Sequence, residues 1–209
     1  MAAVGVRCIL VRVPRRREDR LSLRARRRPA HGHPIGAPFL AAEGSLIALI
    51  AGAPTIPSQV VCLDVTSRSV EVLRDSASVE LDPALCSVPR QIEFPTEDGL
   101  TAHAHANPPQ NPSFAGPEAE APPLIVMSHG GPTSETTPEF SLQIQFWTSR
   151  GFAVVDVNYG GSTGYGRAYR QRLNGEWGIV DTADSINAAR YLAREGLADG
   201  DRLLIRGGS

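Results

Sequence analysis

Three short apolar runs, each separated from the next by enough chain for a helix, constrain this sequence more than any other feature. Pro123–Met127, Phe152–Val157 and Arg202–Ile205 are too short for helices. Their continuous apolar character is that of strands covered on both faces. Between the first two, Phe140 to Arg150 reads as a helix closed at Gly151, where glycine tolerates the left-handed backbone just past a helix end. Between the second and third, Ile179, Ala183, Ile186, Ala189 and Ala193 recur at roughly helical spacing up to Arg194, with Gly196 beyond. Strands that alternate with helices argue for a parallel sheet, because parallel neighbours need a crossover connection. The predicted class is α/β.

The chain upstream has a different texture. Ser45–Ala51, Gln59–Val65 and Ser69–Leu73 are short runs joined by turn residues, and the second alternates with period two. They predict an antiparallel meander, a unit that cannot bury both faces alone and has the size of one propeller blade. Arg90–Pro95 and Leu100–Ala106 flank an Asp98-Gly99 turn and predict a hairpin. Asn107 to Pro123, rich in Pro, Ala and Glu, predicts a surface loop.

Charge is unevenly placed. Up to His33 there are 10 Arg against Glu18 and Asp19, whereas the remainder holds 11 Arg against 20 acids, and Lys is absent. The Arg-rich start has no aromatic residues to stack on bases, so it predicts a disordered leader and not a nucleic-acid partner. No run of about 18 apolar residues indicates a membrane span. The apolar stretch Val4–Val13 is interrupted by Arg7 and Arg12 and lacks the flanks of a secretory signal. Cys8, Cys62 and Cys86 are too widely spaced for a zinc site and odd in number, which fits thiols in a reducing, cytoplasmic compartment.

The last strand runs into Gly207-Gly208-Ser209. A Gly-x-Ser after a buried strand is the front half of a nucleophile elbow, a sharp turn that lifts a hydroxyl above the sheet. The same text also serves as a flexible end. The run His129-Gly130-Gly131-Pro132 follows the strand ending at Met127. A Gly-Gly turn there leaves backbone N–H groups free to stabilise negative charge on a carbonyl oxygen, and Gly131 is the candidate donor. It equally fits a tight turn with no catalytic task. His129 precedes that turn and does not suit the base, which follows the serine in α/β-hydrolases. His103 and His105 share one face of a strand without a third ligand, so no metal is expected. Asp181 and Asp184 start a helix, where acids complement the dipole, and read as structural.

Several segments in order resemble the catalytic domain of the prolyl oligopeptidase family of serine peptidases, in its acylaminoacyl-peptidase and dipeptidyl-aminopeptidase-like branch. They are Val126–Thr133 (VMSHGGPT), Phe146–Phe152 (FWTSRGF), Asp156–Tyr159 (DVNY), Gly161–Gly166 (GSTGYG), Glu176–Gly178 (EWG) and Asp201–Ser209 (DRLLIRGGS). The resemblance implies an α/β-hydrolase domain capped by a β-propeller. It implies a Ser-Asp-His triad with Ser209 as nucleophile and Gly131 as an oxyanion-hole donor, no cofactor, and short peptides as substrates cleaved through an acyl-enzyme. It divides the chain into a leader (1–38), a remnant of a final propeller blade (39–88) and the amino-terminal part of the hydrolase domain (89–209). The family's acid and histidine lie downstream, so the chain is expected to stop at the nucleophile and to be inactive alone. The alternatives are an esterase-type α/β-hydrolase and a non-catalytic interaction fragment. Gly160 stands where the family usually has Arg, and a looser loop is expected there.

Overall fold

The computed structural model describes residues 40–77, 81–131 and 133–208. The Arg-rich leader, Pro132 and Ser209 lie outside the described residues.

The upstream meander has four strands: β1 (Leu40–Glu43), β2 (Leu46–Ala53), β3 (Ile56–Asp64) and β4 (Val70–Asp75). They pair antiparallel in sequence order. Period-two alternation turns Ile47, Leu49, Val61 and Leu63 to one buried cluster. β4 is exposed along its whole length, Val70, Val72 and Leu73 included. The sequence signalled three of these strands. β1 lacks their strong apolar run, and its pairing with β2 defines it.

The second sheet has five strands: β5 (Arg90–Pro95), β6 (Thr101–Asn107), β7 (Leu124–Ser128), β8 (Ala153–Asn158) and β9 (Leu203–Gly207). Their spatial order is β5-β6-β8-β7-β9. β8, β7 and β9 are parallel, as the apolar runs predict. The β5–β6 hairpin joins the same sheet through an antiparallel β6–β8 pair, so the sheet is mixed. In the turn of this hairpin Asp98 and Gly99 both take positive φ, 58° and 68°. Asp and Gly are residues that tolerate this backbone.

Three α-helices are present among the described residues: α1 (Leu142–Thr148), α2 (Arg167–Gln171) and α3 (Val180–Arg194). Ser141 caps α1 through its hydroxyl. The helix ends before Gly151, whose φ is 89°. Ile144 of α1 packs with Ile125 and Val154 on one face of the sheet. Ala188, Ala189 and Leu192 of α3 pack with Leu124, Val126 and Val155 in another cluster, which also holds Phe94 and Ala104. β7 and β8, adjacent and parallel, therefore send their chains to helices on opposite faces.

Three expectations are corrected here. The buried face of α3 is Asp184, Ser185, Ala188, Ala189 and Leu192, whereas Ile179 and Ile186 are exposed. Small side chains let the helix approach the sheet, and Asp184 is drawn inward by the hydrogen bonds described below. β9 is an exposed edge strand and not a buried one, because nothing among the described residues covers Leu203, Leu204 and Ile205. Gly160 sits in a tight site and not a loose loop. A Cβ there would lie 2.8 Å from Val180 Cγ1 and 3.2 Å from Arg172 Cδ.

Candidate active site

The parallel register pairs Leu124 with Leu203 and continues to Ser128 opposite Gly207. Gly207 also packs closely on this neighbour, since a Cβ on it would lie 3.4 Å from the Ser128 carbonyl oxygen. The chain leaving β7 toward Gly130 and Gly131 and the chain leaving β9 toward Gly208 thus emerge side by side at one end of the sheet. That end is the carboxyl edge of the parallel strands, where open α/β sheets bind ligands.

Gly131 has φ 64°, a backbone state that favours glycine. Its carbonyl accepts the Ser134 N–H at 3.0 Å, which closes a tight turn. Its own N–H has no acceptor among the described residues, and the residue is exposed. Ser209 is the next residue after Gly208 and lies outside the described residues.

His129 is held from three sides. Its ring stacks on Tyr159 with centroids 4.4 Å apart. Its Nε2 lies 2.8 Å from Ser162 Oγ, and the Tyr159 hydroxyl donates to the His129 carbonyl at 3.2 Å. Burial lowers its pKa, so the ring is neutral at pH 7. Ser162 is completely buried, and the Thr163 N–H donates to the Ser134 carbonyl at 2.9 Å. The loops following β7 and β8 are therefore stitched together beneath the Gly130-Gly131 turn.

The loop after β8 is anchored from below by Asp184. Its carboxylate accepts the Gly160 N–H at 2.6 Å and the Thr96 hydroxyl. Asp181 accepts the Gly178 N–H at 2.7 Å at the start of α3. Asp181 lies in the first turn of α3, as expected, whereas Asp184 lies beyond it and its contacts to Gly160 and Thr96 are not the dipole role read from the sequence.

His103 stacks on Tyr165 at 4.2 Å, and His105 is buried in β6. Among the described residues no group of three His, Cys, Asp or Glu side chains is placed to hold a metal. Desolvation lowers the His105 pKa to about 4. Asp156, opposite it on β8, accepts the Thr136 hydroxyl, and burial raises its pKa to about 6. The stitching residues Tyr159, Ser162 and Asp184 carried no catalytic signal in the sequence. They sit in segments that matched as text, and only their hydrogen bonds reveal what they do.

Fold and edge geometry define an α/β domain with a Gly-Gly turn beside the end of its last described parallel strand. Residues 138–209 match the model of the prolyl oligopeptidase family. The chain is 32% identical over 120 residues to dipeptidyl aminopeptidase BIII of Pseudoxanthomonas mexicana, covering 56% of this chain and 17% of the relative. It is 38% identical over 87 residues to the acylamino-acid-releasing enzyme of Arabidopsis thaliana, covering 42% and 11%. Among solved structures, a puromycin-hydrolyzing peptidase of Mycobacterium tuberculosis superposes with a TM-score of 0.79 at 47% identity, over 81% of this chain and 26% of that one. The Pyrococcus horikoshii acylaminoacyl peptidase gives 0.63 at 25% identity, over 80% and 26%. The chain thus spans about a quarter of the length of these solved relatives and less of the curated ones. No helix among the described residues is long and apolar enough to cross a membrane.

Proposed function

We propose that these residues form the amino-terminal part of the catalytic domain of a serine peptidase acting on short peptides. Ser209 is the nucleophile and the Gly131 N–H is one donor to the developing oxyanion. The observation that carries this reading is the register of β9 on β7. Ser128 lies opposite Gly207, so the strand leading to Ser209 ends beside the turn that presents Gly131. A serine hydroxyl there attacks a peptide carbonyl, a histidine takes its proton and passes it to the amine that leaves as the C–N bond breaks, and the acyl-enzyme is then hydrolysed by water. Residues 89–209 belong to an α/β-hydrolase domain, and the β1–β4 sheet, within 39–88, is a final propeller blade. The free thiols of Cys62 and Cys86 suit a cytoplasmic setting.

Among the described residues no histidine is placed to act as the base for this step. Of the described histidines, His129 is bound to Ser162, His103 is stacked on Tyr165 and His105 is buried in the sheet. On this reading the described residues do not complete the catalytic set, and the chain by itself is expected to be inactive.

The test is a chimera in which residues 89–209 replace the matching segment of the 47%-identical mycobacterial peptidase. Hydrolysis of aminoacyl-anilides, abolished by Ser209→Ala, is the expected result. A folded chimera without activity, or one in which Ser209→Ala retains it, contradicts the proposal.

A further inference from the structure

A cavity of about 380 Å³ opens between the turn after Gly131 and the segment following α2. Thr133, Gly161, Arg170, Asn174 and Trp177 are among the residues that line it. Its place in the fold is informative. The chain leaves β7 toward Thr133 and leaves β8 toward Gly161, and these two strands diverge to helices on opposite faces. Such a divergence leaves a crevice at the carboxyl edge of the sheet, the usual ligand site of open α/β folds.

The chemistry of the wall is specific. Trp177 is 66% exposed, although an indole is among the most apolar surfaces a protein carries. Among the described residues Arg170 makes no ion pair with a carboxylate. Glu176, next to Trp177 in sequence, is not part of the wall. Asn174 adds an amide and Thr133 a hydroxyl. The wall is also kept narrow. Gly161 has φ 120°, and a Cβ on it would lie 2.6 Å from Leu173 Cβ.

We propose that this crevice binds a carboxylate of a peptide, held by the Arg170 guanidinium and the Asn174 amide, with the adjoining apolar group laid against Trp177. A guanidinium recognises a carboxylate through paired charge-assisted hydrogen bonds, and an exposed aromatic face takes the neighbouring side chain. The peptide setting rests on the function proposed above, whereas the affinity for carboxylates rests on this wall alone.

The carboxylate has two sources, the peptide carboxyl terminus and an acidic side chain. The experiment titrates the full 209-residue chain with three probes: glycyl-phenylalanine, its carboxyl-terminal amide, and acetyl-aspartyl-phenylalanine amide. The indole N–H resonances of Trp177 and Trp147 are followed by NMR, with Trp177→Phe for assignment. A free-acid or aspartyl probe is expected to shift the Trp177 resonance saturably, leaving Trp147 in place. The neutral amide should bind about tenfold more weakly, the margin of a charge-assisted hydrogen bond. Which acidic probe responds assigns the source. Arg170→Gln, an exposed substitution that leaves the core intact, should abolish the preference for acid. Equal response to the acid and amide probes, an unmoved Trp177, or an acid preference that survives Arg170→Gln overturns the proposal. None of these outcomes depends on Ser209, so a failure here is distinct from inactivity of the chimera.

Discussion

His105 and Asp156 stand opposite each other in register across β6 and β8, and burial moves their pKa values in opposite directions. For Asp156 the folded value is raised from 3.8 to about 6, so its contribution is most favourable below pH 3.8 and is lost as pH rises through 6. For His105 the folded value is lowered from 6.5 to about 4, so its contribution is present above pH 6.5 and is lost as pH falls toward 4. Asp156→Asn, which keeps an acceptor for the Thr136 hydroxyl, is expected to raise the unfolding free energy at pH 7.5 by about 2–3 kcal/mol. The gain should vanish below pH 4. Urea titrations at the two pH values check this, and an equal gain at both would remove desolvation as the cause. Gly160 makes a second expectation at this scale. With Val180 Cγ1 2.8 Å from the place of a Cβ, Gly160→Ala is expected to destabilise the chain by about 1–3 kcal/mol. A neutral result in the same titration would mean that the loop yields, as its sequence alone suggested.

At the scale of elements, the α/β alternation was legible because β7 and β8 carry unbroken apolar runs that no helix of that length explains. The hairpin was legible because Asp98-Gly99 has one plausible backbone geometry. The orientation of α3 was not. Ile179 and Ile186 follow helical spacing as well as the true core residues do, and periodicity counts apolar residues without asking which are small enough to approach a sheet. The inward position of Asp184 depends on Gly160 and Thr96, which are distant in sequence and contribute nothing to a periodic pattern. Two substitutions separate the readings. Ala188→Leu, at a fully buried site, is expected to cost about 1–3 kcal/mol, whereas Ile186→Gln should stay within about 0.5 kcal/mol of the parent. The reverse order would restore the face that the sequence predicts. The edge strand β9 presents Leu203 at 45%, Leu204 at 49% and Ile205 at 75% exposure beside an open row of backbone groups, the pattern that invites pairing between chains. Ile205→Lys is expected to lower the self-association of the 209-residue chain in sedimentation velocity, and unchanged association would place the sticky surface elsewhere.

At the scale of the whole molecule, two sheets with different construction occupy the described chain. The β1–β4 sheet buries a single small cluster, whereas the five-stranded sheet has apolar clusters on both faces. The candidate site lies wholly on the second, at the carboxyl edge of its parallel strands. Its two halves come from segments about 80 residues apart in sequence. The Gly-Gly turn and the Gly-Gly-Ser text were each ambiguous alone, and the register that sets Gly207 opposite Ser128, at the strand end that leads to Gly130 and Gly131, is what the proposed site rests on. The most direct measurement is mass-spectrometric mapping of a fluorophosphonate probe on the chimera and on the 209-residue chain. The account predicts stoichiometric modification of Ser209 in the chimera and none in the chain alone. Modification of another serine in an active chimera, or efficient modification of Ser209 in the chain alone, would contradict it.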